Sequence, residues 1–174
     1  QVTALTLVPD KITDLAGEKL AELTGKAVEN MAVAGASALG AKAIVWAIEQ
    51  KLAGQPGLYP WRGGALDASA RLDEGDPALA ELTDKPGLIF IHGTGSHTLG
   101  AFGELPGSRS WEKLVDQFEG RLFGFEHPTF SESPIDNALA LVRLLPKGAR
   151  ISLVTHSRGG LVGDLLCLDA SPDE

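Results

Sequence analysis

Two short stretches of this chain hold residues whose types and order could do acyl chemistry. In RISLVTHSRGG, residues 150–160, a β-branched apolar run ends at Thr155 and passes through His156 and Ser157 into Arg158, Gly159, Gly160 and an apolar helical sequence. A sharp strand-to-helix turn can hold a serine in a strained conformation, its hydroxyl exposed and the helix N-terminus behind it. Gly159 and Gly160 fit because a side chain there would collide with adjoining strands, and Gly163 extends the small face by a turn. The second stretch is GLIFI followed by His92, Gly93, Thr94, Gly95 and Ser96. Such a glycine-rich loop can turn backbone N–H groups toward a substrate carbonyl, where an oxyanion needs preorganised donors. The expected site therefore has Ser157 as its catalytic residue and the N–H groups of Thr94 and Arg158 as its oxyanion hole. His92, Gly93, Gly95, His156, Gly159 and Gly160 shape it.

The elements that must position these residues follow from periodicity. GLIFI (87–91) is a short unbroken apolar run, as a strand buried on both faces requires, and residues 121–125 and RISLVT (150–155) read as further strands. Between them, 111–119 reads as a helix with Ser110 as N-cap, and 134–145 as a helix opened by Ser133 and Pro134. A further helix runs from 158 to 168. This alternation with short joints predicts a parallel sheet covered on both faces, with functional groups at the carboxyl ends of its strands. Upstream, VTALTLV (2–8) reads as a short strand. Residues 12–52 have helical spacing, divided into two helices by glycines 17, 25, 35 and 40. Residues 54–86, rich in Gly, Pro and Asp, read as a connector with a short strand at GLYPW and a helical turn at 77–82. The chain thus divides into an N-terminal strand, helices and connector (1–86) and a core carrying the nucleophile turn (87–174).

At 174 residues the chain is the size of one domain. Lys and Arg number 15 against 23 for Asp and Glu, a net charge of −8, which argues against a nucleic-acid partner. A hydrophobic share of 44% excludes intrinsic disorder. The single Cys167 excludes an intramolecular disulfide framework and fits a cytoplasmic location. No signal peptide is visible from Gln1. The apolar stretch 31–48 could span a bilayer, but Lys42 inside it favours a packed or interfacial helix.

His92-Gly93 after one strand and T-H-S-R-G-G after a later one resemble the oxyanion loop and nucleophile elbow of the lipase and esterase branches of the α/β-hydrolase superfamily. The resemblance covers residues 86–168. It implies an α/β, parallel-sheet, three-layer sandwich and a serine hydrolase acting on a carboxylic, lipid-like ester through an acyl-enzyme at Ser157. GFEHPTFSESP followed by LVTHSRGGLVGDLL resembles, more narrowly, the hydrolase-like domain of bacterial proteins that carry CHAT-type caspase-like protease domains.

The chain departs from that pattern twice. Thr155 stands where the family usually has glycine, crowding the turn. The family order is Ser, then Asp or Glu, then His, yet no histidine follows Ser157. The expectation is accordingly that the C-terminal part of the domain is missing, that the isolated chain is inactive, and that the sheet's edge beyond the last strand is uncovered or met by a partner. Among internal histidines, His92 and His97 suit loop shaping, His156 should point away from the serine, and His127 lies at a strand end off the family position. Each remains a candidate base. The alternative function is a non-catalytic interaction or regulatory module beside a covalently linked effector domain. Cys167 reads as a buried helix residue and Asp164 as a helix-surface charge. Glu126 and His127 read as a mutually satisfied pair, and the three tryptophans as packing residues. No spacing suggests a metal site or a phosphate loop, so no cofactor is expected. The partner implied is a small-molecule or lipid acyl substrate.

Overall fold

The computed structural model describes residues 3–6, 49 and 54–168. The strands are β1 (Thr3–Thr6), β2 (Gly57–Pro60), β3 (Gly87–Ile91), β4 (Leu122–Glu126) and β5 (Ile151–Thr155). They form one sheet in the order β1-β5-β3-β4-β2. The helices are α1 (Pro77–Ala80), α2 (Thr98–Phe102), α3 (Arg109–Gln117), α4 (Pro134–Leu144) and α5 (Arg158–Leu166). The fold is therefore α/β. The helices expected within 12–52, including the apolar stretch 31–48, lie outside the described residues, as does Trp46. Among the described residues no helix is long and apolar enough to cross a membrane.

β3, β4 and β5 run parallel, with β3 in the middle. All five residues of β3 are buried, and alternate side chains enter different cores. Ile89 and Ile91 pack with Phe123, Phe125, Leu141 of α4 and Val162 of α5. Leu88 and Phe90 pack with Trp61, Phe102 of α2 and Trp111 of α3. Each such side chain, fully buried, contributes about 1.5–3 kcal/mol. Trp61 and Trp111, distant in sequence, meet edge to face with ring centres 4.9 Å apart.

Several expectations need correction. The sheet is mixed, because β2 lies antiparallel to β4, pairing Gly57 with Glu126. The connector thus supplies an outer strand of the sheet. The far edge of β5 is not open: β1 pairs with it in parallel, Thr3 with Ser152 through Thr6 with Thr155. The N-cap of α3 is Ser108, whose hydroxyl accepts the Trp111 N–H, so the helix begins before Ser110. Ser133 does cap α4, in a reciprocal capping box with Asp136 and with Pro134 in the first turn. Cys167 is exposed, because α5 ends at Leu166 and the cysteine is its C-cap.

Candidate functional site

Pairing register sets the site. Ile91 lies opposite both Phe125 and Thr155, so β3, β4 and β5 end level. The residues that follow, His92-Gly93, Glu126-His127 and His156-Ser157, are thereby gathered at one end of the sheet.

Ser157 is the turn between β5 and α5, with φ 52° and ψ −123°. A non-glycine residue there is strained by about 1–3 kcal/mol and persists only where its surroundings impose it. Those surroundings are close contacts between backbones. A Cβ on Gly159 would stand 2.2 Å from the Ile91 carbonyl oxygen, and one on Gly93 would stand 2.9 Å from Ser157 Cβ and 3.0 Å from the His156 carbonyl oxygen. Gly160 does not share this role: a Cβ there would have Thr155 Oγ1 at an ordinary 3.8 Å as its nearest neighbour. Gly163 is close to Thr155, whose Cγ2 would lie 2.9 Å from an added Cβ, so the threonine in the elbow is matched by a glycine one turn into α5.

Ser157 is exposed, and although it occupies the N-cap of α5 its hydroxyl makes no capping bond. Among the described residues, the N–H groups of Thr94 and Arg158 also make no hydrogen bond. The Arg158 side chain turns away, its guanidinium donating to the Glu132 carbonyl. A free hydroxyl at a helix N-terminus, beside a glycine loop with an uncommitted donor on each side, can attack an acyl carbonyl and stabilise the oxyanion that forms.

The four histidines have other partners. His92 is fully buried, with Nδ1 2.9 Å from the Gly93 carbonyl. Its Nε2 accepts the His127 N–H at 3.4 Å and lies 3.3 Å from Glu126 Oε2, the latter without the alignment of a hydrogen bond. His97 caps α2, its Nδ1 accepting the Gly100 N–H. His127 stacks on His92 with ring centres 4.2 Å apart, and its Nδ1 is 3.3 Å from the Phe125 carbonyl. Burial, aided by the neighbouring His92 ring and the Arg158 guanidinium, brings its pKa down to about 3, so the ring is neutral. Burial, then the neighbouring His92 ring, also lowers the pKa of His156, whose Nδ1 has no hydrogen-bond partner. None of the four is hydrogen-bonded to the Ser157 hydroxyl.

Glu126 is not paired with His127 as expected. Its Oε1 accepts the Thr98 N–H at 2.8 Å, and its Oε2 faces His92. Burial pushes its pKa up, but the His92 ring and the Thr98 N–H outweigh burial and hold it below the usual carboxylate range. Beyond it, the Thr129 hydroxyl accepts the Gly95 N–H at 3.0 Å. Glu49 accepts the N–H groups of Phe130 and Ser131 and the Ser131 hydroxyl, fixing the chain between β4 and α4. The pattern of single residues gives no sign of these partners. The one signal is a polar pair, Glu126-His127, ending an apolar strand.

A cavity of about 240 Å³ opens beside the end of β4, lined by Phe125, His127, Glu132, Asn137 and Leu144 among others, and Ser157 is not part of its wall. Among the described residues no group of three or more His, Cys, Asp or Glu side chains is placed to hold a metal ion.

Comparison with known proteins adds one result. No curated protein and no solved structure matches the chain. The model of a family described as a domain of unknown function, DUF7379, matches residues 64–173, a span that includes both the His92-Gly93 loop and the Ser157 turn. The chain belongs to the DUF7379 family.

Proposed function

We propose that the full-length protein is a serine hydrolase of α/β-hydrolase type, in which Ser157 attacks the carbonyl of a carboxylic ester. The Ser157 oxygen bonds to the acyl carbon as its proton passes to a base, the oxyanion is held by the N–H groups of Thr94 and Arg158, and collapse breaks the bond to the leaving oxygen, which takes that proton and departs as the alcohol; water then cleaves the acyl-enzyme to the acid and restores Ser157. The observation carrying this reading is the strained turn at Ser157, an exposed residue whose hydroxyl makes no capping bond and whose Cβ packs against Gly93. The sheet order, with β3 central between β4 and β5 and β2 antiparallel at the edge, supports a hydrolase-type sandwich.

A fluorophosphonate probe applied to the full-length protein tests the assignment. Covalent labelling at Ser157, abolished in Ser157→Ala, is the expected result; equal labelling of both proteins removes Ser157 as the nucleophile.

One observation favours a second reading. No histidine is hydrogen-bonded to Ser157, which suits a non-catalytic interaction or regulatory module that keeps the hydrolase turn beside a linked effector domain. A folded protein that leaves Ser157 unlabelled supports the module.

A further inference from the structure

The loop that runs from His92 to Thr98 would be hard to hold still on its own. It contains two glycines, one of them, Gly95, at φ 64°, and Thr94 at its tip is exposed. An oxyanion donor works only if its position is fixed before the reaction, because reorganising it costs the stabilisation it should give.

The structure fastens this loop with two hydrogen bonds, one to Glu126 at the end of β4 and one to Thr129 just beyond it. At its start, His92 faces Glu126 Oε2 at 3.3 Å. At its end, the Thr98 N–H donates to Glu126 Oε1 at 2.8 Å. In the middle, the Gly95 N–H, adjacent to Thr94, donates to the Thr129 hydroxyl at 3.0 Å. One carboxylate thus binds the amide at the far end of the loop while lying against His92 at the near end, and one hydroxyl takes the amide next to the donor. Both side chains are buried: Glu126 is 4% exposed and Thr129 8%. The Thr129 bond also commits Gly95 and leaves uncommitted the amide of Thr94, the residue after the Gly93 that packs against Ser157.

We infer that Glu126 and Thr129 are positioning residues, which hold the 92–98 loop so that the Thr94 N–H is fixed beside Ser157. The inference rests on the reading of Ser157 as nucleophile. Neither residue touches the substrate; both act through the loop. Thr129 gives the cleaner variant, since valine has nearly the same shape and removes only the acceptor.

The test is the rate of fluorophosphonate labelling at Ser157, resolved into the apparent binding constant of the probe and the limiting rate of bond formation. The phosphoryl oxygen of the probe needs the same donors as an ester oxyanion. Thr129→Val is expected to lower the limiting rate about 10- to 100-fold, as a displacement on the order of 1 Å does, with the binding constant unchanged. Thr129→Ser, which keeps the acceptor, restores the rate. Glu126→Gln keeps an acceptor for Thr98 but loses the charge facing His92, so it should also slow the limiting step. If Glu126→Gln does not fold, the Thr129 pair decides the matter. A limiting rate in Thr129→Val equal to that of the parent overturns the inference and leaves the nucleophile standing. A parent protein with no label on Ser157 overturns both.

Discussion

Gly93 and Ser157 sit so close that a Cβ on the glycine would stand 2.9 Å from the Cβ of the serine. Residues on two different strands' ends are thereby locked into one surface. Their separation is set by the level ends of β3 and β5, where Ile91 pairs with Thr155. The neighbours an added methyl would meet are mostly main-chain or short side-chain atoms, the His156 carbonyl oxygen at 3.0 Å among them, so they cannot swing aside. Gly93→Ala should therefore displace the loop from the turn, costing about 1–3 kcal/mol of stability by overpacking and removing most labelling of Ser157. Chemical unfolding and probe labelling of the same sample check both. A variant with parental stability and labelling would show that the close contact is not required.

The two glycines that follow the serine make opposite predictions. Gly159 faces the main chain of β3, with the Ile91 carbonyl oxygen at 2.2 Å and that of His92 at 2.7 Å from an added Cβ. Gly159→Ala must push α5 off the sheet and should cost at least about 3 kcal/mol, toward the upper end of overpacking effects. Gly160 is in α5 with room for a methyl. Gly160→Ala should raise stability by as much as about 1 kcal/mol through helix propensity alone. Urea midpoints of the two variants, measured beside the parent, give the comparison. Destabilisation of both by the same amount would refute the packing argument.

What could be read from the sequence divides along physical lines. β3 is legible because it is a short unbroken apolar run, and β4 and β5 because they are short, mostly apolar stretches; burial on both faces favours that composition. Ser133 and Pro134 mark the start of α4 because capping is local chemistry. The turn at Ser157 is legible for the same reason: strand, serine, glycines and helix are contiguous. What is not legible depends on contacts made far apart in the chain. GLYPW shows a strand but not its direction, so the antiparallel pairing of β2 with β4 emerges only from the assembled sheet. α2 is hidden by its flanking glycines and depends on a histidine cap. Glu126 and His127 are neighbours and invite pairing, yet adjacent residues on a strand point to opposite faces, and Glu126 faces His92 instead. Gly160 is the converse case: its place in the motif suggests a collision that the spacing of α5 over β5 does not produce.

The buried histidine beside the site makes stability depend on pH in a defined direction. The pKa of His127 falls from its ordinary 6.5 to about 3 on folding, mainly because burial disfavours its charged form. In the unfolded chain the ring takes up a proton below pH 6.5, while in the folded protein it does not until near pH 3. The unfolded state therefore binds more protons across this window, and stability falls as pH falls through it. From pH 7 to pH 5 this residue should lower the unfolding free energy by about 2 kcal/mol. His156, lowered for the same first reason, acts in the same direction. Glu126 does not contribute in this window: its folded value lies below its ordinary 4.5, so its contribution is present above pH 4.5 and lost only under more acidic conditions. Urea unfolding at pH 7 and pH 5, on the parent and on His127→Gln, isolates the effect. The parent should lose more stability than the variant over that interval, by an amount on the order of 2 kcal/mol. Equal losses in the two proteins would mean that His127 takes up its proton equally readily in the folded and unfolded states, contrary to its burial against His92 and Phe125.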